Sequence, residues 1–334
     1  MVPLRPLTLG DILNGAFSLI RSNPRTTVGL SLIVMAVASI VSSVGFSGYM
    51  ADYGTFLDQV LTDPVSVDPD SPFPFSAWSI AAVYGGSLLS YAGIILVTGL
   101  LTTVIGLAVL GRKLSPSQAW AAVRDRLWSV LGLALLQILI SFGLTLVLAT
   151  VVVGGMVLGF VLIGTGGEGA GIAVVVLSLL LGLGGGIALF AWITIRLYFA
   201  MPIVVLERLG PGQALARSWR LTQGSWWRVF GIVLLASMLI GFVSSLLSTP
   251  FTLIAVVPSF VFPGEAWAAV VSGAVMFVAN VLVYSITTPF TVGVTTLLYV
   301  DLRMRREGLD LKLHSAAQAG YEAGPEIYLP EPRA

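Results

Sequence analysis

The run Val28-Gly-Leu-Ser-Leu-Ile-Val-Met-Ala-Val-Ala-Ser-Ile40 lies within 26–51, a stretch without a single Asp, Glu, Lys or Arg. Its apolar residues follow one another without the strict alternation of a barrel strand. Outward from it lie five more charge-free runs, at 71–111, 127–167, 169–195, 229–264 and 266–300. Each exceeds the roughly 20 apolar residues that carry a helix across a bilayer core of about 30 Å. In lipid the backbone must satisfy its own hydrogen bonds, which leaves helices as the spanning element. The sequence therefore predicts an all-α integral membrane protein with six transmembrane helices, near 28–50, 79–109, 128–158, 170–195, 229–250 and 267–299.

Composition points the same way. Only 10% of the 334 residues are charged and 57% are hydrophobic, whereas a soluble domain carries about 25% charged residues. There is no Cys and one His, His314, so thiolate chemistry, disulfides and two-histidine metal sites are excluded. No metal, cofactor or catalytic residue is expected. Two segments read as outer loops or interface rather than spans. Ser71-Pro-Phe-Pro-Phe75 is broken by proline beside Trp78, and Phe251 to Phe262 is punctuated by Pro250, Pro258 and Pro263. No apolar core follows Arg5 directly, so the first helix is expected to remain as an anchor rather than act as a cleaved signal peptide.

The charges set the orientation. With the N-terminus inside, all 17 basic residues and nine acidic ones fall in inner segments, while Asp52, Asp58, Asp63, Asp68, Asp70, Glu168 and Glu265 fall outside with no basic residue among them. This is the inside-positive pattern. It predicts a multi-pass membrane protein with both termini in the cytoplasm, and the formal net charge of +1 is the near-cancellation of two oppositely charged faces.

The chain also repeats. Thr8-Leu-Gly-Asp-Ile-Leu-Asn-Gly-Ala-Phe17 and Gly210-Pro-Gly-Gln-Ala-Leu-Ala-Arg-Ser-Trp219 align when shifted, Gly10 on Gly212, Leu13 on Leu215, Phe17 on Trp219 and Gly29 on Gly231. A middle copy is Leu114-Ser-Pro-Ser-Gln-Ala-Trp-Ala-Ala-Val123. Three units, about 5–110, 111–206 and 207–306, each read as an amphipathic interfacial helix followed by a transmembrane hairpin. They make up a membrane domain over 1–312, and 313–334 reads as a disordered cytoplasmic tail. Thr8 with Asp11 and Ser115 with Gln118 fit capping boxes. Leu9, Ile12, Leu13, Ala16, Phe17 and Ile20 form one apolar helical stripe, expected to lie on the inner leaflet.

Ionisable residues are absent at mid-bilayer in this assignment, which speaks against a proton relay. Arg196 stands nearest, at the inner end of helix four, where anchoring by pairing with Glu207 and capture of an anionic lipid or substrate are both open. Arg217, Arg220, Arg228, Arg303, Arg305 and Arg306 complete a basic inner face suited to anionic headgroups or a protein partner, not to nucleic acid. Gln137 and Asn280 are expected to bond neighbouring helices, and Pro289, among Thr287, Thr288 and Thr291, to kink helix six. Gly182-Leu-Gly-Gly-Gly186 lacks the GK[ST] of a phosphate loop and reads as close helix packing. The outer Asp spacing matches no EF-hand.

Arg196-Leu-Tyr-Phe-Ala-Met-Pro202, Gly210 to Gly224, Trp227-Arg-Val-Phe-Gly231, Tyr299-Val-Asp-Leu-Arg-Met-Arg-Arg-Glu-Gly-Leu-Asp310 and Leu9-Gly-Asp-Ile-Leu13 together resemble a bacterial six-helix family. It is the membrane domain found beside some bacterial glycerophosphoryl diester phosphodiesterases, which also has stand-alone actinobacterial members of unknown function. The resemblance spans roughly 5–312. The phosphodiesterase activity belongs to a separate soluble domain, and the residues after Asp310 are too few for such a barrel. The sequence thus suggests a non-enzymatic membrane scaffold or accessory protein that organises lipids or a partner at the cytoplasmic face. The alternative is a transporter of a lipid or small amphiphile.

Overall fold

Each charge-free run contributes a long helix over its described residues in the computed structural model, which describes residues 6–63, 75–318 and 324–329. Among them no strand occurs, and six helices are long and apolar enough to cross a membrane: Pro24–Thr62, Ala77–Val109, Leu127–Gly164, Glu168–Leu206, Trp226–Val261 and Ala266–Glu307. The protein is a multi-pass membrane protein. We label the elements α1 (Leu9–Ser22), α2 (Pro24–Thr62), α3 (Ala77–Val109), α4 (Pro116–Arg124), α5 (Leu127–Gly164), α6 (Glu168–Leu179), α7 (Gly186–Leu197), α8 (Ala200–Leu206), α9 (Pro211–Thr222), α10 (Trp226–Val261), α11 (Ala266–Glu307) and α12 (Leu309–Gln318). A π-helical turn at Leu180–Gly185 joins α6 to α7, so the glycine-rich Gly182–Gly186 stretch lies within a spanning helix. The chain divides into two compact units, 1–127 with 231–334, and 128–230.

In the first unit α2, α3 and α11 pack on one another, and α1 lies against α11. Small residues allow the approach. A Cβ at Gly45 would stand 2.5 Å from the carbonyl carbon of Ala82, and one at Gly86 would collide with the backbone at Ser42. One at Gly273 would meet the Ser43 carbonyl oxygen at 2.8 Å. Without a hydrophobic drive between helices in lipid, such backbone proximity is what dispersion can use. Val97, Leu101, Ile105 and Val292 form a buried cluster, with Leu19 and Val34 against it. In the second unit the same device joins α5 to α6, where Gly155 and Gly159 receive Ser178 and Val175.

Several helices run further than the sequence suggests. Residues 51–62, expected to begin the outer loop, continue α2. In this extension Asp52 accepts hydrogen bonds from the Ser76 amide (2.7 Å) and hydroxyl (2.8 Å) and from the Ser79 hydroxyl (2.5 Å). It thereby supplies a carboxylate to the N-terminus of α3. Phe251–Val261, expected as a loop, belongs to α10 despite Pro250 and Pro258. Each proline removes one ladder bond, while the Ser272 hydroxyl of α11 bonds the Ala255 carbonyl and holds this stretch in place. The segment 64–74 and its Asp68, Asp70 and prolines lie outside the described residues.

Both capping boxes are present. Asp11 and Thr8 exchange bonds of 3.2 and 2.9 Å, and Gln118 and Ser115 bonds of 3.3 and 2.9 Å. The stripe of α1 is shared, however. Ile12 and Ala16 are buried, Ala16 close to Gly293 of α11, while Phe17 is exposed.

The end of α11 carries a buried polar network that sequence reading had assigned to the headgroup region. Asp301, fully buried, accepts from the Leu7 amide at 2.7 Å and from Arg305 Nε at 2.9 Å, and Arg305 Nη2 donates back to the Leu7 carbonyl at 3.1 Å. Arg303 Nε pairs with Glu307 at 2.9 Å, and its Nη1 donates to the Tyr299 hydroxyl at 3.2 Å and the Tyr328 carbonyl at 2.8 Å. Tyr328 in turn donates its hydroxyl to the Gly106 carbonyl at 2.8 Å, at the end of α3. Gly308, with φ +63, ends α11 in a left-handed cap and turns the chain into α12. The expectation of an unstructured tail over 313–334 is therefore corrected where the chain is described. Leu309–Gln318 is helical, and the 3-10 turn Pro325–Tyr328 delivers a fully buried tyrosine.

Two outcomes test this packing. Gly86→Leu should lower the thermal midpoint by the equivalent of about 1–3 kcal/mol, whereas Gly85→Leu one position away, with nothing within 4 Å, should shift it by less than about 0.5 kcal/mol. Asp301→Ala leaves Arg305 and the Leu7 amide without their buried acceptor and should cost about 3–5 kcal/mol in thermal melts. Burial pushes the Tyr328 phenol well above the ordinary tyrosine range, against the opposing pull of the Arg303 charge. The neutral phenol is the docked form, so the turn should hold below about pH 10 and release as pH rises past it. Limited proteolysis after Gln318 across that range reads the release.

Candidate functional site

Within the second unit, four tryptophans gather around one arginine. Trp192 and Arg196 stand four residues apart on α7 and so share a face. The Arg196 guanidinium carbon sits 5.4 Å from the Trp192 ring centroid and 5.3 Å from that of Trp219 on α9, and the two indoles meet edge to face at 5.1 Å. Ser218, fully buried, locks α9 beneath the end of α7. Its hydroxyl donates to the Arg196 carbonyl at 2.8 Å and accepts the Phe199 amide at 3.1 Å, satisfying backbone groups freed where α7 ends. Trp226, first residue of α10, donates its indole N–H to the Trp192 carbonyl at 3.3 Å and stacks on Phe230 at 4.9 Å.

Arg196 as a residue is only half-buried. Its Nε and Nη1 are buried and make no hydrogen bond. The expected partner Glu207 is taken instead by Arg217, whose Nε lies 3.0 Å from Glu207 Oε2, with the carboxylate side chain fully buried. The pairing of Arg196 with Glu207 is thus corrected. A cavity of about 630 Å³ opens beside the guanidinium, lined by Ala188, Leu189, Trp192, Arg196, Trp226 and Trp227. Its walls come from α7 and the first turn of α10.

The remaining sequence candidates are distributed as follows. Arg220 and Arg306 are exposed and Arg228 is half-buried. Arg303 is buried and held by Glu307, Tyr299 and Tyr328, whereas Arg305 is exposed, with its Nε paired to Asp301 and its Nη2 on the Leu7 carbonyl. Gln137 and Asn280 are half-buried and show no hydrogen bond among the described residues. Pro289 is buried inside α11, and Thr287 and Thr291 bond carbonyls one turn back on the same helix. A second, apolar cleft of about 310 Å³ lies in the first unit beside this proline, lined by Phe17, Ile20, Val28, Leu239, Ile240, Val243, Ile286, Thr287 and Phe290. Sequence reading missed the tryptophans. The i, i+4 spacing of Trp192 and Arg196 was the available signal, whereas the approach of Trp219 and Trp226 depends on how α9 and α10 return.

Among the described residues no group of three His, Asp or Glu side chains converges as a metal site. No curated protein and no solved structure matches the chain. A family model described as the membrane domain of glycerophosphoryl diester phosphodiesterase matches residues 175–319. That stretch contains every residue lining the arginine–tryptophan cavity and the buried cluster at Asp301–Glu307. Over residues 175–319, then, this chain is similar to the membrane domain of glycerophosphoryl diester phosphodiesterases.

Proposed function

We propose that the protein is a non-enzymatic organiser of the bacterial inner membrane, one that gathers anionic lipids or a protein partner at its cytoplasmic face. The observation that carries this reading is a recurrent one. Three short helices, α1, α4 and α9, each stand directly before a long apolar helix and each carries an arginine in its last turn: Arg21, Arg124 and Arg220. They open the three proposed repeat units, about 5–110, 111–206 and 207–306. Lying at the inner leaflet, they would set cations at headgroup depth, where each attracts anionic lipid by about 1 kcal/mol. Both termini are then cytoplasmic, and the acidic residues at the opposite helix ends face outward.

A second reading is favoured by one feature. The apolar cleft beside Pro289 suits an acyl chain and supports transport of a lipid or small amphiphile. Reconstituted vesicles separate the two: accelerated transbilayer movement of labelled phospholipid supports the carrier, and movement no faster than in protein-free vesicles supports the organiser.

The orientation has a direct test because the chain has no Cys. Thr62→Cys and Thr165→Cys should react with a membrane-impermeant maleimide in intact cells, and Ser22→Cys and Ser117→Cys only after permeabilisation. The reverse pattern would overturn the proposed topology.

A further inference from the structure

We infer that the Arg196 cavity is a binding site for one phospholipid of net negative headgroup charge, with its phosphate on the guanidinium and an acyl chain along α7. The inference deepens the proposed function and rests on its placing of this face at the inner leaflet. A guanidinium enclosed by Trp192 and Trp219, with Nε and Nη1 buried and unbonded, keeps its donors unspent. Burying such a group without acceptors is costly unless something supplies them. The planar fork matches two phosphate oxygens, and the flanking indoles hold it in orientation without competing for its hydrogen bonds.

The sign of the ligand follows from what already fills the aromatic cage. Tryptophan faces could hold a choline-type ammonium, yet here they hold the arginine, so the next charge admitted is an anion. The first turn of α10, through Trp226 and Trp227, lines the same cavity and adds the partial positive charge of a helix N-terminus.

The form of the ligand follows from the walls. Ala188 and Leu189 line the cavity on the same helix as Arg196, eight and seven residues earlier, which puts them about 11 Å along the axis toward the membrane interior. The site is therefore charged at one end and apolar at the other. A free phosphate ester would use only the first; a phospholipid uses both. Trp227, 78% exposed, stands where interfacial tryptophans settle at headgroup level.

The test is native mass spectrometry of the full chain in mild detergent, titrated with phosphatidylglycerol or phosphatidylcholine of identical chains, with glycerol 3-phosphate as competitor. Wild type should retain one phosphatidylglycerol in preference to phosphatidylcholine. Arg196→Gln should weaken that binding at least about tenfold, as loss of charge-assisted bonds implies, and Arg196→Lys should recover part of it. Lys113→Gln, at an exposed lysine distant in sequence from the cavity, should bind as wild type. Circular dichroism and gel filtration report whether each variant folds, and Trp227→Ala, with the same expectation, serves should Arg196→Gln fail to fold. Wild-type binding in the folded variants, or no headgroup preference in wild type, would overturn the inference. Equal displacement by glycerol 3-phosphate would overturn its lipid part. Retained headgroup preference in a folded Arg196→Gln would sink this site while leaving the broader organiser reading standing.

Discussion

A charge at the centre of a bilayer costs several kcal/mol, and an unsatisfied backbone amide there costs a comparable amount. The chain meets both terms by concentrating its 33 charged residues between six runs that carry none. Everything else follows from where those charges then sit. Because the runs must be helical and have little hydrophobic reason to adhere in lipid, contact falls to small residues such as Gly45, Gly86 and Gly273, whose missing side chains admit a neighbouring backbone. Because charge is confined to helix ends, those ends are where specific polar structure can be built.

Two such structures appear, one in each unit, and they differ in kind. At the end of α11, Asp301, Arg303, Arg305, Glu307 and Tyr328 satisfy one another and tie the chain near Leu7 and the end of α3 to α11. Every charge there has an internal partner, so the network reads as a clasp. At the end of α7, Arg196 is held by rings and by its own backbone, and its guanidinium is left with acceptors to find. That difference separates a group whose donors are satisfied within the fold from one whose Nε and Nη1 are not.

Much of the frame was legible beforehand. The six spans, the two capping boxes and the close packing at Gly182 and Gly186 follow from charge spacing, side-chain offsets and small-residue content, all local properties. The failures were of one type. Residues 51–62 and 251–261 were read as loops because Asp and Pro punctuate them, but Asp52 is bound by Ser76 and Ser79, and the proline stretch is held by Ser272. Arg303 was read as a headgroup contact because nothing in its neighbourhood along the chain announces Tyr328. Likewise, Glu207 is a partner for Arg196 on charge alone, yet the carboxylate pairs with Arg217 on α9. In each case a distant segment changed the value of a residue that local pattern had priced correctly for an isolated helix.

The central claim is that the end of the second unit bearing Arg196 faces a negatively charged lipid surface. Hydrogen–deuterium exchange of the whole chain in nanodiscs, with and without phosphatidylglycerol, addresses it most directly. The account predicts slower exchange in the anionic bilayer over the end of α7, α9 and the first turn of α10, and no change along 266–300. Identical exchange in the two bilayers, or a change confined to 266–300, would contradict it.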